Sequence, residues 1–179
     1  MAALALLPLP ASAAPESLDA LLEQLAAQEV LEHSFTEYRL SELTTGTTEQ
    51  TGYMLYRAPD FLEQRIEAPR ISVWRLDGNT LELESGDEQR SMTLDDAPEA
   101  HAMADALLGL LNGDRERLEQ SWHTDFQSGE RGWRLQLWAD SRGARLLGSV
   151  EFRGQGEQLH YIIFHERGGD TRQLRLSTQ

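Results

Sequence analysis

The sequence predicts an α+β domain built on one curved antiparallel sheet, with two apolar helices over its concave face. Apolar side chains recur at every second residue over most of the chain, turns containing glycine or proline separate these stretches, and one leucine-rich segment of helical period interrupts them. The resulting order is a helix, about five strands, a helical insertion and about four further strands. A sheet of that length must twist and curl, and the helices are the candidates to cover its hollow side.

Composition narrows the class of protein. The chain has 179 residues, of which 40% are apolar and 26% charged, as is ordinary for one soluble domain. A formal net charge of -14 repels phosphate backbones and anionic headgroups, so we expect neither nucleic acid nor a membrane surface as a partner. The absence of cysteine excludes disulfides, thiolate metal sites and cysteine nucleophiles.

The first residues resemble the remnant of a signal peptide, which we place at residues 1–13. An apolar run precedes Ala11-Ser12-Ala13, whose small side chains suit the cleft of a signal peptidase, although a positively charged start is missing. An untargeted tail is the alternative. A single carrier-like domain is then expected over residues 14–179, and it contains no apolar stretch long enough to cross a bilayer.

The first elements follow from changes of period. Ser17 is expected to cap a helix over 18–25, because four leucines recur there at the helical spacing. From His33 the period changes to two, which indicates a strand. Residues 44–50 are predicted as a polar turn, and 52–56 as the second strand of a hairpin.

The next strands alternate in the same way. Residues 62–68 place apolar side chains on one face and charged ones on the other, as in a sheet packed on one side. The stretches 73–76 and 81–84 flank Gly78, which can adopt the positive φ of a tight turn, so they predict a second hairpin. The chain then turns again into 90–94.

The strand pattern stops at the leucine-rich helix. Asp96 with Glu99 three residues later indicates a capping box, and the helix is expected to end at Gly113. Its apolar residues cover more than one face. It is therefore either a core helix or a lid that packs on the empty sheet and turns its apolar face to a ligand when displaced. Asp114 is expected to cap a further short helix through Trp122, after which alternation resumes.

Motifs of catalysis are missing. The sequence has no glycine-flanked serine elbow, His-Glu-x-x-His, phosphate-binding glycine loop or dinucleotide fingerprint. His160 and His165 lie on opposite faces of a regular strand, so one strand cannot offer both to a metal. His101 and Asp105 are spaced to pair on the helix surface. We therefore expect that the protein is not an enzyme and that it binds neither a cofactor nor a metal.

Three blocks resemble the outer-membrane lipoprotein carrier (LolA) family. They are Phe35-Thr36-Glu37, the stretch from Gly52 to Leu62 with Ala58-Pro59-Asp60, and the hairpin 76–81 with its Asp-Gly turn. In that family a Phe-Thr-Gln strand, a Gly-to-Arg-Pro strand and an Asp-Gly hairpin occur in this order. The leucine-rich helix and the strand 133–137 match the next part, so the resemblance covers roughly residues 17–178. The segment 58–63 also resembles the branch encoded beside aryl-polyene pigment and lipid synthesis genes.

The resemblance implies a half-open β-barrel of about eleven strands, whose helix-covered hollow shields acyl chains. It implies a periplasmic carrier of a Gram-negative bacterium that moves lipoprotein or lipid cargo toward the outer membrane. An inner-membrane exporter and an outer-membrane acceptor would be its partners, and we expect a monomer. In typical carriers an arginine directly precedes the proline and latches the lid. Here that position is Ala58, Arg57 lies one residue earlier, and polar Gln64 replaces a usual tryptophan.

Alternation and the matching blocks together select the candidate cavity residues. On the sheet they are Met54, Tyr56, Leu62, Ile66, Trp74, Leu76, Leu81 and Leu83, and on the lid they are Met103, Leu107, Leu108 and Leu111. Their function would be to bind acyl chains by buried area alone. The alternative is a non-enzymatic interaction or sensor module on the same half-barrel, with no cargo in the hollow.

Overall fold

The computed structural model describes residues 14–41, 46–139 and 147–177. This part of the chain forms eleven strands, three α-helices and one 3₁₀ turn. In chain order the elements are α1 (Leu18–Ala26), β1 (Val30–Leu40), β2 (Thr47–Arg57), β3 (Phe61–Ala68), β4 (Ser72–Asp77), β5 (Thr80–Ser85), β6 (Glu88–Thr93), the 3₁₀ turn (Leu94–Asp96), α2 (Pro98–Leu111), α3 (Arg115–Ser121), β7 (Trp122–Gly129), β8 (Gly132–Ala139), β9 (Leu147–Gln155), β10 (Gln158–Glu166) and β11 (Thr171–Ser177).

All eleven strands belong to one antiparallel sheet. Its order is β6-β5-β4-β3-β2-β1-β11-β10-β9-β8-β7. Strands that follow each other in the chain are therefore neighbours, except β6 and β7 at the two edges, and the two halves of the sheet join where β1 pairs with β11. The sheet ends at β6 and β7 and is not closed into a barrel. The predicted fold class, a curved antiparallel sheet forming a half-open barrel with helices, is confirmed.

Register places apolar side chains in rows across the inner face. Leu62 lies opposite Leu76, Leu76 opposite Leu81, and Leu81 opposite Met92, so one row crosses four strands. The first three are almost fully buried. Because side chains alternate along each strand, this row fixes which residues of β3 to β6 face inward.

Helices α2 and α3 lie between the two edge strands in sequence, and α1 and α2 pack in one core with the inner face of the sheet. Asp114 caps α3, as predicted, because its Oδ1 accepts a hydrogen bond from the Arg117 backbone N–H at 3.0 Å. Gly113 has a φ of +66°, and a Cβ there would lie 2.7 Å from the carbonyl oxygen of Leu22. A glycine is therefore needed where the end of α2 meets α1.

The first helix agrees with its prediction. Ser17 caps α1 by accepting a hydrogen bond from the Ala20 backbone N–H at 3.2 Å. Its four leucines form a buried stripe, with exposures between 0% and 8%. This stripe packs in the same hydrophobic core as α2 and the sheet.

The predicted capping box at the start of α2 is wrong. The helix begins at Pro98, its N-cap is Ala97, and no side chain caps it. Proline lacks a backbone N–H and favours the first turn of a helix, so less capping is required there. Asp96 instead belongs to the 3₁₀ turn, where its Oδ2 accepts a hydrogen bond from the Thr93 hydroxyl at 2.7 Å.

Two strand boundaries also differ from prediction. Residues 47–50, expected in a turn, extend β2 and pair with β1 from Leu40 and Thr47 onward, in keeping with the strand preference of β-branched threonine. Trp122, expected to end a helix, begins β7. Six strands therefore precede α2 and α3 and five follow them. The signal-peptide prediction at 1–13 and residues 44–45 of the predicted turn lie outside the described residues.

One charged residue expected on a solvated face is buried. Glu63 has 7% exposure on the outer face of β3, where it accepts hydrogen bonds from the Tyr53 hydroxyl at 2.8 Å and from Arg75 Nε at 2.7 Å. Burial alone would raise the pKa of Glu63, but these two hydrogen bonds together with the positive charges of Arg75 and Arg65 outweigh it and lower the pKa. The cluster links β2, β3 and β4 on the side away from the helices.

Candidate ligand cavity

A cavity of about 590 Å³ lies between the inner face of the sheet and the first half of α2. Its size falls within the range of roughly 300 to 1,000 Å³ that is usual for small-molecule sites. The lining residues are Trp74, Leu76, Leu81, Leu83, Met92, Leu94, Ala97, Pro98, Glu99, Ala100, Ala102, Met103, Ala104, Leu147 and Arg172.

The side chains that line the cavity are apolar except for those of Glu99 and Arg172 and the indole N–H of Trp74. Pro98 and Glu99 are exposed at the start of α2, and Leu83 and Met92 are half-buried. These residues form the rim through which the cavity meets solvent. Leu76 and Leu81, in contrast, are almost completely buried and form part of the floor. The cavity can therefore remove the apolar surface of a ligand from water.

The structure brings five of the twelve predicted cavity residues to this space. They are Trp74, Leu76, Leu81, Leu83 and Met103. The others form the core that supports it: Met54, Tyr56, Leu62, Leu107, Leu108 and Leu111 are buried, and Ile66 is half-buried and packs against them. In this structure Leu107, Leu108 and Leu111 therefore stabilise the contact between α2 and the sheet.

Sequence reasoning missed several lining residues for which a signal existed. Met92 lies opposite Leu81 in the β5–β6 hairpin, so the period-two pattern carries it to the inner face. Arg172 precedes the buried Leu174 and Leu176 by two and four residues in β11 and shares their face. Leu147 begins β9, but the residues two and four positions later, Ser149 and Glu151, are polar. No period-two apolar pattern therefore marks Leu147 in the sequence.

A polar network crosses the inner face beside the cavity. Arg172 donates from Nε to Glu37 Oε1 at 3.2 Å and from Nη2 to Glu37 Oε2 at 3.1 Å. Gln64 donates to Glu37 Oε2 at 3.4 Å and accepts from Trp74 Nε1 at 2.5 Å. The side chains of Arg172 and Glu37 are only 13% and 2% exposed. A buried ion pair of this kind is tolerated because its groups are paired and hydrogen-bonded.

The end of α2 is attached to the sheet by uncharged groups. The Tyr56 hydroxyl donates to Asn112 Oδ1 at 2.7 Å, and Asn112 Nδ2 donates to the Pro59 carbonyl at 2.8 Å. Arg57 is exposed, and its guanidinium lies over the Phe61 ring, 5.1 Å from the centroid. Arg57 therefore stacks at the turn, while Tyr56 and Asn112 make the attachment of the helix.

The histidine side chains of the described residues do not form a shared binding site. Asp105, expected to pair with His101, accepts instead from Arg117 Nε at 2.7 Å and from the Ser121 hydroxyl at 2.9 Å. His101 Nδ1 lies 3.7 Å from Asp95 Oδ1. Over residues 14–41, 46–139 and 147–177, no three histidine or acidic side chains are grouped to hold a metal. No helix in the same ranges has the length and apolarity to cross a membrane.

These features define a half-barrel protein with a helix-covered apolar cavity of ligand size. The chain belongs to the outer membrane lipoprotein carrier protein LolA-like family, whose model matches residues 11–178. This is a family of lipoprotein and lipid carriers, and the resemblance seen in the sequence is confirmed at that level. Assignment to the aryl-polyene branch stays a prediction. Comparison with curated proteins gives no match.

The solved structures that match this chain share little sequence identity with it. A LolA superfamily protein of Nitrosomonas europaea is 12% identical, with a TM-score of 0.48 over 90% of this chain and 91% of its own. The lipoprotein LppX of Mycobacterium tuberculosis is 11% identical, with a TM-score of 0.44 over 89% and 93%. A DUF1329 family protein of Desulfovibrio piger is 8% identical, with a TM-score of 0.49 over 90% and 89%.

Proposed function

We propose that this protein is a periplasmic carrier that holds an acyl chain of a lipoprotein or lipid cargo in the cavity under α2 during transfer toward the outer membrane. The observation that carries the proposal is the apolar cavity of about 590 Å³ between the sheet and a helix inserted between its two edge strands. Membership of the lipoprotein carrier family supports the cargo class and the compartment. Binding requires no catalyst.

Apolar burial supplies the affinity. Each buried methylene contributes about 0.8 kcal/mol, so ten methylenes contribute roughly 8 kcal/mol before the cost of association. That cost is on the order of 4 to 15 kcal/mol for lost translational and rotational freedom. At the lower end of that cost, ten methylenes leave about 4 kcal/mol of net affinity, and each further methylene adds about 0.8 kcal/mol. Binding in this range is reversible, as a carrier needs because it must release its cargo.

Release is governed by the lid and by the acceptor. Since α2 covers the cavity and is attached at its end through Asn112, movement of this helix changes the access of cargo to solvent. We expect an inner-membrane exporter to load the cavity and an outer-membrane acceptor to compete for the chain. The family to which the chain belongs supports both partners.

A pair of leucine substitutions tests the cavity. Leu83 lines it at the rim, whereas Leu40 is 49% exposed at the end of β1. Leu83→Glu introduces a charge against the acyl chain and is expected to weaken binding of a fluorescent fatty acyl probe at least tenfold. Leu40→Glu adds the same charge outside the cavity, and we expect its affinity to stay within a factor of two. Fluorescence titration of delipidated protein measures both.

Equal affinities for the two variants and the wild type would contradict the proposed cavity. The alternative, an interaction or sensor module without cargo, predicts that the delipidated wild type binds no acyl probe. Mass spectrometry of protein purified from the periplasm supplies an independent test, because a carrier is expected to retain acylated molecules. Recovery of the protein in the cytoplasmic fraction would contradict the proposed compartment.

A further inference from the structure

The cavity has one buried cationic group in its wall. Of the lining residues, Arg172 and Glu99 are charged, and Glu99 lies exposed at the rim. The side chain of Arg172 is 13% exposed and lines the cavity from β11. An arginine placed in an apolar wall can recognise the polar end of a ligand that is otherwise a hydrocarbon chain.

Arg172 retains donor capacity toward the cavity. Its Nε and Nη2 atoms donate to Glu37, whereas Nη1 contacts the sulfur of Met103 at 3.8 Å. A guanidinium carries five N–H groups, two of them on Nη1, and a thioether is a weak acceptor. An oxygen acceptor of a ligand in the cavity would therefore be a better hydrogen-bond partner for Nη1 than the sulfur of Met103 that Nη1 now contacts.

The charge of Arg172 is already balanced. Glu37 is 2% exposed and accepts two hydrogen bonds from the guanidinium, so the pair has no net charge. A free carboxylate entering beside this pair would add a third, uncompensated charge in a poorly solvated space, which is unfavourable. A neutral carbonyl accepts the same hydrogen bond without bringing a charge.

We infer that Arg172 Nη1 anchors the neutral carbonyl of an acyl ester or amide, so the cavity prefers acylated cargo over free fatty acids. This inference rests on the proposed function, because it assigns the polar end of the ligand whose chain the cavity holds. Arg172 acts as a binding residue, and Glu37 sets the charge that the site accepts. The further bond from Gln64 to Glu37 holds the carboxylate in place.

The test compares three ligands built on the same twelve-carbon chain. Dodecane, methyl laurate and laurate are titrated against a neutral fluorescent probe bound to delipidated wild-type protein. We expect methyl laurate to displace the probe at least tenfold more strongly than laurate, and more strongly than dodecane. Equal displacement by dodecane and methyl laurate would overturn the anchoring role while leaving the acyl cavity intact. If none of the three displaces the probe, the proposed function and this inference fail together.

Two variants separate charge from hydrogen bonding. Glu37→Gln keeps the shape of the side chain and leaves the guanidinium uncompensated, so the preference is expected to shift at least tenfold toward laurate. The double variant Glu37→Gln with Arg172→Met removes both charges, and dodecane and methyl laurate should then bind equally. An unchanged preference for the ester in Glu37→Gln would contradict the charge argument. Thermal unfolding of each variant checks folding, and the wild-type ligand series remains decisive should the double variant unfold.

Discussion

His33 is a buried titratable residue with an incomplete set of partners. It is 6% exposed, and among the described residues its Nδ1 has no hydrogen-bond partner. Burial is the main cause that lowers the pKa of His33 below its ordinary 6.5; a hydrogen bond with the Ser177 backbone opposes this, and the charge of His160 adds to it. The folded protein therefore favours the neutral imidazole.

This shift predicts a loss of stability in mild acid. Between the folded-state pKa and 6.5 the unfolded chain binds more protons, so stability from His33 is present above pH 6.5 and is lost as the pH falls. The slope is at most about 1.4 kcal/mol per pH unit. Urea unfolding at pH 7.5 and 5.0 is expected to show a smaller pH effect in His33→Gln than in wild type.

The surface variant His123→Gln serves as the matched control, because His123 is exposed on β7. It should keep the pH dependence of the wild type. A pH dependence that disappears equally in both variants would assign the effect to general charge and not to His33.

Gly52 lies too close to the neighbouring strand to carry a side chain. A Cβ at this position would lie 1.8 Å from the Arg65 carbonyl oxygen, at the register shift between β2 and β3. Gly52→Ala is therefore expected to force the two strands apart and to lower the free energy of unfolding by more than about 2 kcal/mol. Gly46→Ala is the control, since no atom of residues 14–41, 46–139 and 147–177 lies within 4 Å of its added Cβ. Denaturant unfolding that shows the same small change for both variants would refute this expectation.

At the residue level, periodicity located the apolar face but not its polar members. Leu76, Leu81 and Leu83 were recognisable because apolar side chains alternate there with charged ones. Glu37 and Arg172 share faces with Phe35 and Leu174, yet a charged residue on an apolar face reads as solvated until its partner is known. That partner lies 135 residues away and becomes visible only once β1 pairs with β11.

The attachment of α2 through Tyr56 and Asn112 gives a prediction about the lid. Tyr56→Phe removes one hydrogen bond at the end of this helix and leaves the bond from Asn112 to Pro59. A stability loss of about 1 kcal/mol is expected, together with faster amide exchange in the last turn of α2 and faster release of a bound acyl probe. Hydrogen exchange and stopped-flow displacement measure these two effects.

Tyr53→Phe is the control for this prediction. Tyr53 lies on the same strand, but its hydroxyl donates to Glu63 on the outer face. Tyr53→Phe removes a hydroxyl as Tyr56→Phe does, but that hydroxyl has no contact with α2. Amide exchange in α2 and the rate of probe release should therefore match those of the wild type. Parallel changes in both variants would show that the sheet, and not the lid attachment, controls release.

At the level of elements, the sequence identified the helices and strands whose apolar residues recur at a regular spacing. The leucine stripe of α1 and the Gly78 hairpin were predictable, because each combines a period with a defined cap or turn. Strand β7 was not, since Trp122 and Phe126 are separated by polar residues without strict alternation. Its place is fixed by pairing with β8 along its whole length, a tertiary contact that no local pattern contains.

The net charge of -14 leads to a prediction for the whole molecule. Delivery of an acyl probe to vesicles requires approach to the membrane surface, which anionic lipid opposes over a screening length of about 10 Å at 0.1 M salt. Transfer to phosphatidylglycerol vesicles is expected to be slower than to phosphatidylcholine vesicles at low salt. The two rates should converge as sodium chloride is raised. Equal rates at low salt would contradict an electrostatic barrier.

The pairing of β1 with β11 also sets the order in which the molecule can be completed. During synthesis β1 to β6 can assemble from neighbouring segments, as can β7 to β11, but β1 keeps an open edge until the last strand has been made. Unpaired strand edges favour association with other chains. The nascent protein is therefore most vulnerable until β11 has emerged, and the Glu37–Arg172 contact forms only when the two halves join.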